Sequence, residues 1–384
     1  MDADNLASNM NEQAFYERLD STAVDPPDLF EHFEEHSAGD RTYYLLPDAR
    51  HEVERGTVVL PDADAVVRGY PSVPRVFVLD PGIPSFFGAD ARVSVEEKLN
   101  GFNVRIAAVG GVLAFTRSGY VCPYTTDRAR ALLDPAEFFE AYPGAMLCAE
   151  LIGPETPYTA HDYDDVDSHA VRVFGIRDRE TGEPFPVDER RELCERYGFP
   201  QPTEFGRGTV DEAVSTAKEA IAELDAAGRE GIVVKSEDGR EIVKYTTASQ
   251  TQADLAYAFE LPFDYGRDFV FSRVIREGFR AVEFDEDGDR LRERAHDLGE
   301  SILLPMVETI HTVAAGDRVG ERQTVRGDPR AIDELLSHLE GQGLTIEIES
   351  DQRDGDQRVV EFLKVSQSTS DRIDYYLDGG TYDE

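Results

Sequence analysis

Apolar positions along the chain change period four times. Between residues 13 and 36, Phe15, Leu19, Leu29 and Phe33 recur at helical intervals around Pro26-Pro27, which predicts a helical stretch with one break. From 41 to 80 the apolar residues cluster in the strand manner: Tyr43-Tyr44-Leu45, Val58-Val59-Leu60 and Val76-Phe77-Val78, with Pro81-Gly82 and Pro84 as the turn after them. From Val93 to about Thr247 short strand-like runs (104–108, 112–116, 145–152, 171–176, 231–235, 241–244) are separated by helical stretches, two of them at 135–142 and 210–227. Strands and helices do not alternate regularly there, so an α+β domain is expected rather than a doubly wound sheet. Residues 249–314 read as long helices with more apolar positions than one exposed helix carries, around Val274-Ile275, Ile302-Leu303-Leu304 and Val307–Ile310. The last unit, from about Gly316, reads as helix (329–339), strand (344–349), turn at Asp354-Gly355, strand (358–365) and helix (370–377). Four units are expected: 1–90, 91–247, 248–315 and 316–384, with no internal repeat.

Composition narrows the class. A chain of 384 residues with 40% hydrophobic residues can bury a sizeable core and is not a disordered acidic polymer. No run approaches the ~18 apolar residues of a membrane helix, and Met1–Met10 has neither a basic region nor an apolar stretch, so no secretory leader is expected. Cys122, Cys148 and Cys194 are odd in number and widely spaced, which excludes a disulfide framework and a paired metal knuckle. A cytoplasmic protein is expected.

The net charge is -39, from 78 acidic against 39 basic residues, spread over the whole length. Only five basic residues are lysine: Lys98, Lys218, Lys235, Lys244 and Lys364. A uniformly acidic, lysine-poor surface predicts a halophile's protein, working where the Debye length shrinks to ~3 Å at 1 M salt and self-repulsion is screened. The same charge argues against long-range attraction to nucleic acid. The run from His161 to His169 reads as a solvated acidic loop, since its spacing fits no zinc pattern.

In a chain that prefers arginine, a retained lysine suggests a task arginine cannot do. Lysine can lose its proton and act as a nucleophile. Three lysines lie in apolar-flanked segments: Glu97-Lys98-Leu99-Asn100-Gly101-Phe102-Asn103, Glu230-Gly231-Ile232-Val233-Val234-Lys235 and Ile242-Val243-Lys244-Tyr245.

Here the chain resembles the covalent nucleotidyltransferases, which include DNA ligases, RNA ligases and mRNA capping enzymes. Lys98-Leu99-Asn100-Gly101 is similar to their nucleophile motif. Five further matches follow in order: Phe115–Gly119, Leu147–Gly153 with its internal Glu150, Val171–Ile176 with Phe174, Glu230–Lys235, and Val243–Tyr245. Within that superfamily the chain resembles the homodimeric archaeal ATP-dependent RNA ligases, notably in Lys98–Arg105, Glu150–Pro154 and Lys244-Tyr245 with two threonines. The resemblance implies an N-terminal α+β unit, a nucleotidyltransferase (ATP-grasp-like ligase) catalytic domain at 91–247, a helical dimerisation module and a small α/β C-terminal domain.

It also implies a chemistry. Lys98 would attack the α-phosphate of ATP, AMP would pass to an RNA 5′-phosphate, and a 3′-hydroxyl would expel it, with circular RNA as one product. Lys235, Lys244 and a divalent metal, Mg²⁺ or Mn²⁺, would supply positive field. Glu97, Gly101, Arg117, Glu150, Phe174 and Glu230 would bind the nucleotide: Gly101 in the turn, Arg117 on ribose or phosphate, Glu150 on a ribose hydroxyl, Phe174 on adenine, Glu97 as a reader of the base for which Glu96 is an equal candidate. Glu230 would also touch the metal. Asn103 and Arg105 would hold the RNA 5′-phosphate. One departure is Thr246, where many DNA ligases have a second lysine: Lys235 or an arginine takes over that charge, or pyrophosphate is held differently. A DNA ligase or nick-sealing enzyme, and a non-catalytic RNA-binding protein, stand as alternatives.

Overall fold

The computed structural model describes residues 11–157 and 159–381; the first ten residues, read above as lacking a leader pattern, lie outside the described residues. The chain opens with α1 (Glu12–Leu19), capped by the Asn11 side chain, and α2 (Pro26–Phe30), capped by Asp25 with Pro26 at its first position. The helical stretch expected to reach residue 36 stops at Phe30. Glu34 instead begins β1 (Glu34–Ala38), paired with β2 (Arg41–Leu45) through a turn at Gly39, where φ is 60°. β3 (Val58–Leu60) and β4 (Ala65–Val67) complete an antiparallel sheet in the order β1-β2-β3-β4. Residues 76–78 form no strand, and the expected turn at Pro81-Gly82 lies inside α3 (Leu79–Phe87). Pro81 falls in the first turn, where its missing N–H leaves no bond unmade. Leu79, Ile83 and Phe87 are spaced by four and all buried, a helical period hidden among prolines.

The middle unit contains β5 (Arg92–Lys98), β6 (Phe102–Ala108), β7 (Val112–Thr116), α4 (Pro123–Leu133), α5 (Ala136–Ala141), β8 (Ala145–Ile152), β9 (Ala170–Asp178), α6 (Val187–Tyr197), β10 (Glu204–Thr209), α7 (Val210–Ala226), β11 (Gly231–Ser236) and β12 (Ile242–Thr246). It is α+β as expected: two antiparallel sheets, β7-β6-β8-β9 and β10-β5-β11-β12. α7 starts with a reciprocal capping box between Thr209 and Glu212 and buries Ala213, Ala217, Ile221 and Leu224 among residues of β5 and β11. Tyr43, Leu45, Val58 and Leu60 of the N-terminal sheet share a core with Ala107, Phe115 and Met146.

Three helices follow: α8 (Ala248–Glu260), α9 (Arg267–Glu283) and α10 (Gly288–Ala314). The C-terminal unit is β13 (Gly320–Gly327), α11 (Pro329–Gly341), β14 (Ile346–Asp354), β15 (Gln357–Val365) and α12 (Gln367–Leu377). β13 was not anticipated, because Gly-Glu-Arg-Gln-Thr-Val-Arg-Gly has one large apolar residue; it is held by eight register positions against β15. Val325, Ile332, Leu335 and Phe362 join the cluster that holds Val104, Leu147 and Val173, so this unit and the middle one share a core. Among the described residues no helix is long and apolar enough to cross a membrane.

Candidate active site

The two middle sheets meet where β5 leaves one and β6 enters the other. The turn at that crossing is Lys98-Leu99-Asn100-Gly101, and beside it lies a cavity of about 410 Å³. Nine residues singled out from sequence line it: Glu97, Lys98, Gly101, Asn103, Arg117, Glu150, Phe174, Lys235 and Lys244. Tyr70 and Val73, from the segment after β4, add to the wall.

Lys98 ends β5 opposite Gly231 of β11, and its ammonium donates to Glu230 at 2.5 Å. Gly231 has φ +150°, and a Cβ there would lie 2.2 Å from the Tyr245 carbonyl oxygen, so only glycine lets the strands close behind Glu230. Gly101 is required by close approach: a Cβ would lie 2.4 Å from the Leu151 carbonyl oxygen and 2.8 Å from Ile152. That contact seats the start of β6 on β8 and brings Asn103 opposite Glu150. Burial pushes the Glu150 carboxyl up to about 7; Lys98 opposes this shift, Glu230 adds to it, and the Asn103 amide favours the charged form.

The turn is clamped from outside the motif. The Tyr163 hydroxyl accepts from the Asn100 N–H at 2.7 Å and donates to the Asn100 carbonyl at 2.9 Å. Arg229 lies 4.0 Å from the Tyr163 ring centroid and pairs with Glu97 at 2.6 Å. The run 161–169 is therefore an acidic solvated loop only in part. Asp162, Asp164, Asp165 and Asp167 are exposed, whereas Tyr163 and Val166 are buried with Leu99 and Ile152. The legible signal was an apolar pair three residues apart inside an acidic run.

Phe174 reaches the cavity through a β-bulge. Cys148 pairs with Gly175 and Ala149 with Val173, which leaves Phe174 as the extra residue, and bulges re-aim side chains in this way. Its ring meets Tyr70 edge-on at 5.4 Å. Lys244 projects from β12; burial first, then Arg75 and Lys98, bring its ammonium down to about 8. Arg117 stands exposed just past the end of β7.

Two expectations change. Arg105 does not face a ligand. It is 0% exposed, and its guanidinium donates to the carbonyls of Gly56 at 2.6 Å, Thr116 at 3.1 Å and Arg68. It shares a face of β6 with Asn103, but two residues further along that face is covered by the N-terminal unit, so Arg105 ties the two units together. Lys235 is not a free cation: 6% exposed, it donates to Glu96 at 2.6 Å and to the Phe174 carbonyl at 2.8 Å. Glu96 also binds Arg190; burial would raise its carboxyl, but these cations outweigh burial and hold it below the ordinary value. Glu96 and Glu97 thus take different partners, and it is Glu97 that lines the cavity.

Two antiparallel sheets with a lysine at their junction, facing a half-buried glutamate and a second lysine, define the catalytic fold of the nucleotidyltransferase superfamily. The chain matches the family model described as RNA ligase over residues 91–246 and that described as Ligase Pab1020 C-terminal region over 257–380. An uncharacterized protein of Methanocaldococcus jannaschii is 41% identical over 339 residues, 85% of each chain. Two structures of an archaeal ATP-dependent RNA ligase, forms 1 and 2, align with a TM-score of 0.89 at 40% identity, covering 97% of this chain and 100% of theirs. A chain from Aquifex aeolicus, provisionally described as an ATP-dependent DNA ligase, aligns with a TM-score of 0.85 at 26% identity, over 92% of this chain and 97% of that one. The chain belongs to the archaeal ATP-dependent RNA ligase family.

Proposed function

We infer that this protein is an ATP-dependent RNA ligase that works through AMP bound to Lys98. The observation that carries the reading is the placement of the Lys98 ammonium at 2.5 Å from Glu230, in a cavity that also holds Glu150 and Lys244. In the first step Lys98 gives up a proton and leaves Glu230, its nitrogen bonds to the α-phosphorus of ATP, the bond to the β-phosphate oxygen breaks, and pyrophosphate departs. In the second, a 5′-phosphate oxygen of RNA displaces the lysine nitrogen from AMP. In the third, a 3′-hydroxyl attacks the RNA phosphorus and AMP leaves.

Phe174, flanked by Tyr70, stacks on adenine, and Glu97, which lines the same cavity, reads the base. Ionised Glu150 accepts from a ribose hydroxyl, Arg117 binds ribose or phosphate, and Lys244 stabilises charge on the reacting phosphate. Asn103 is the remaining candidate for the RNA 5′-phosphate. A divalent ion, Mg²⁺ or Mn²⁺, fits the donor set: Glu230 and Glu150 are hard oxygen ligands whose charges disfavour each other when no cation lies between. When bound, such an ion neutralises phosphate charge.

Incubation with labelled ATP and the metal in molar KCl is expected to leave lysine-linked label, absent in Lys98→Ala. Label retained in that variant would defeat the assignment, and no label in either would favour a non-catalytic RNA-binding protein. The 26% identity to the Aquifex chain makes nicked duplex DNA the comparison substrate for 5′-phosphorylated RNA. Linear RNA run as a single species tests whether ends are joined within one molecule.

Three wider readings belong here. The acidic, lysine-poor composition supports a halophilic source; full stability in dilute buffer would count against it. Phe271, Val274, Phe279 and Val282 on α9, and Leu291, Leu303, Leu304 and Val307 on α10, are exposed, which supports a homodimer through this module; a monomeric mass by light scattering in KCl would refute it. A cytoplasmic location follows from the ATP and RNA that the reaction consumes.

A further inference from the structure

Beside the candidate active site two guanidinium groups carry buried nitrogens without a partner: Arg75 Nη1 and Arg276 Nη1. They come from segments outside every motif read in the sequence. Arg75 precedes α3, in a stretch that runs parallel to β12, with the Lys244 N–H donating to the Pro74 carbonyl at 3.0 Å and the Val76 N–H to the Lys244 carbonyl at 3.1 Å. Arg75 is thus the backbone neighbour of a lysine that lines the cavity. Arg276 lies on α9, whose inner face is held against the end of β12. Arg280 donates to the Thr246 carbonyl, and the Tyr245 hydroxyl donates to Glu283 at 3.0 Å.

The arginines on that face differ in how they are satisfied. Arg273 has Asp254 at 2.9 Å, and Arg280 has Glu277 and the Thr246 carbonyl. Arg276 is 5% exposed, and its nearest carboxylate is the same Asp254 oxygen at 3.8 Å, already engaged by Arg273. Arg75 makes no ion pair among the described residues. A buried cation without a matched anion is costly. Here Arg276 is buried and Arg75 half-buried, and burial together with repulsion from Arg75 brings the Arg276 guanidinium down to about 10. Carboxylates outnumber cations two to one in this chain, so leaving Arg75 unpaired and Arg276 with only a shared, distant carboxylate demands a reason. Lys235, one candidate to replace the lysine absent at position 246, is matched by Glu96, which leaves arginine as the other.

We propose that Arg75 and Arg276 form a phosphate-binding site that extends the cavity of Lys98 and Lys244 toward the helical module, taking the terminal oxygens of a phosphate group. This rests on the ligase reading. The same chemistry is presented by the β- and γ-phosphates of ATP, which leave as pyrophosphate, and by the 5′-phosphate of RNA. Guanidinium forks suit either, through paired charge-assisted hydrogen bonds.

The test uses the full chain in molar KCl, with Arg75→Ala, Arg276→Ala and the lysine variant at each position. Adenylation by ATP and transfer of AMP from preloaded enzyme to 5′-phosphorylated RNA are measured separately. If the group is the ATP tail, the alanine variants lower adenylation about 10- to 100-fold and spare transfer; if it is the RNA end, transfer falls by that factor and adenylation is spared. Lysine restores part of the loss in either case. Unchanged rates in both steps, or an equal fall in both that lysine does not rescue, would overturn the site. Titration with inorganic pyrophosphate, followed by heat of binding, supplies a readout that needs no turnover: weaker binding by the alanine variants supports the site, and unaltered binding together with unaltered AMP transfer overturns it. A wild-type chain that takes no AMP would defeat the ligase reading, while the titration would still decide between a phosphate site and none.

Discussion

The floor and the mouth of the cavity are built from the same kinds of charged side chain and treat charge in opposite ways. In the floor, Lys235, Glu96 and Arg190 are buried and bind one another, with a second bond from Lys235 to a backbone carbonyl. At the mouth, Lys98 has a single carboxylate partner, and Lys244 and Arg117 have no ion pair among the described residues. A matched buried pair fixes geometry, because losing either member leaves a charge in a medium that solvates it poorly. An unmatched cation next to a cavity holds its capacity for a ligand instead. Lysine identity alone does not separate the two roles; the count of partners does.

The contrast breaks most decisively at Lys98. Replacing it with alanine is expected to cut AMP transfer to the enzyme by about 10⁴-fold or more while changing stability by less than ~1 kcal/mol, read from single-turnover labelling and denaturant unfolding. The floor should behave in reverse: Glu96→Ala is expected to cost about 3–5 kcal/mol of stability, measured by unfolding in KCl, because Lys235 and Arg190 lose their common anion. A variant as stable as the parent would show that the floor pairs are dispensable. Lys244→Ala should slow adenylation about 10²-fold at nearly constant stability, the loss of one preorganised charge; an equal loss of stability would move Lys244 into the floor class.

The clamp on the turn is a smaller effect. Tyr163→Phe removes the hydroxyl that Asn100 uses twice, and a cost of about 1–2 kcal/mol, seen as a roughly 10-fold slower adenylation, is expected.

The smallest effect is on the pH profile. Glu150 titrates near 7 and Lys244 near 8, so adenylation should rise as Glu150 ionises and fall as Lys244 loses its charge. Glu150→Gln should remove the acid limb. The folded chain holds the Glu150 proton above the ordinary 4.5, so this group's stability contribution is full below that value and is lost as pH rises through about 7. Unfolding of wild type and Glu150→Gln between pH 5 and 8 should diverge in that direction.

Much of the fold was legible because burial on both faces writes continuous apolar runs, as in Ala145–Ile152 and Ile232–Val234. What escaped had a physical cause in each case. β5 reads Arg-Val-Ser-Val-Glu-Glu-Lys and carries two glutamates that are buried by ion pairing, so its polarity hid it. α3 hid behind Pro81, which a first turn tolerates, and Pro84, which lies inside the helix. β13 owes its strand to the neighbour it pairs with. For the site, the order and spacing of the motifs around Lys98, Glu150, Glu230 and Lys244 could be read directly, and these residues do converge. Arg105 departs from what the resemblance implies because a motif match puts it on the Asn103 face of β6 without saying what covers that face.

The order of residues set the chemistry on offer: a scarce lysine beside a tight glycine turn, glutamates inside apolar strands, and an excess of carboxylates. Only the tertiary structure decided which charges are spent on each other and which are left for a ligand. It buried Arg105, paired Lys235, clamped the turn with Tyr163 and brought Arg75 and α9, which carries Arg276, against β12 from segments about 200 positions apart. The reason is that electrostatic pairing depends on distance through space and on the dielectric around each group, and neither is written in the order of residues.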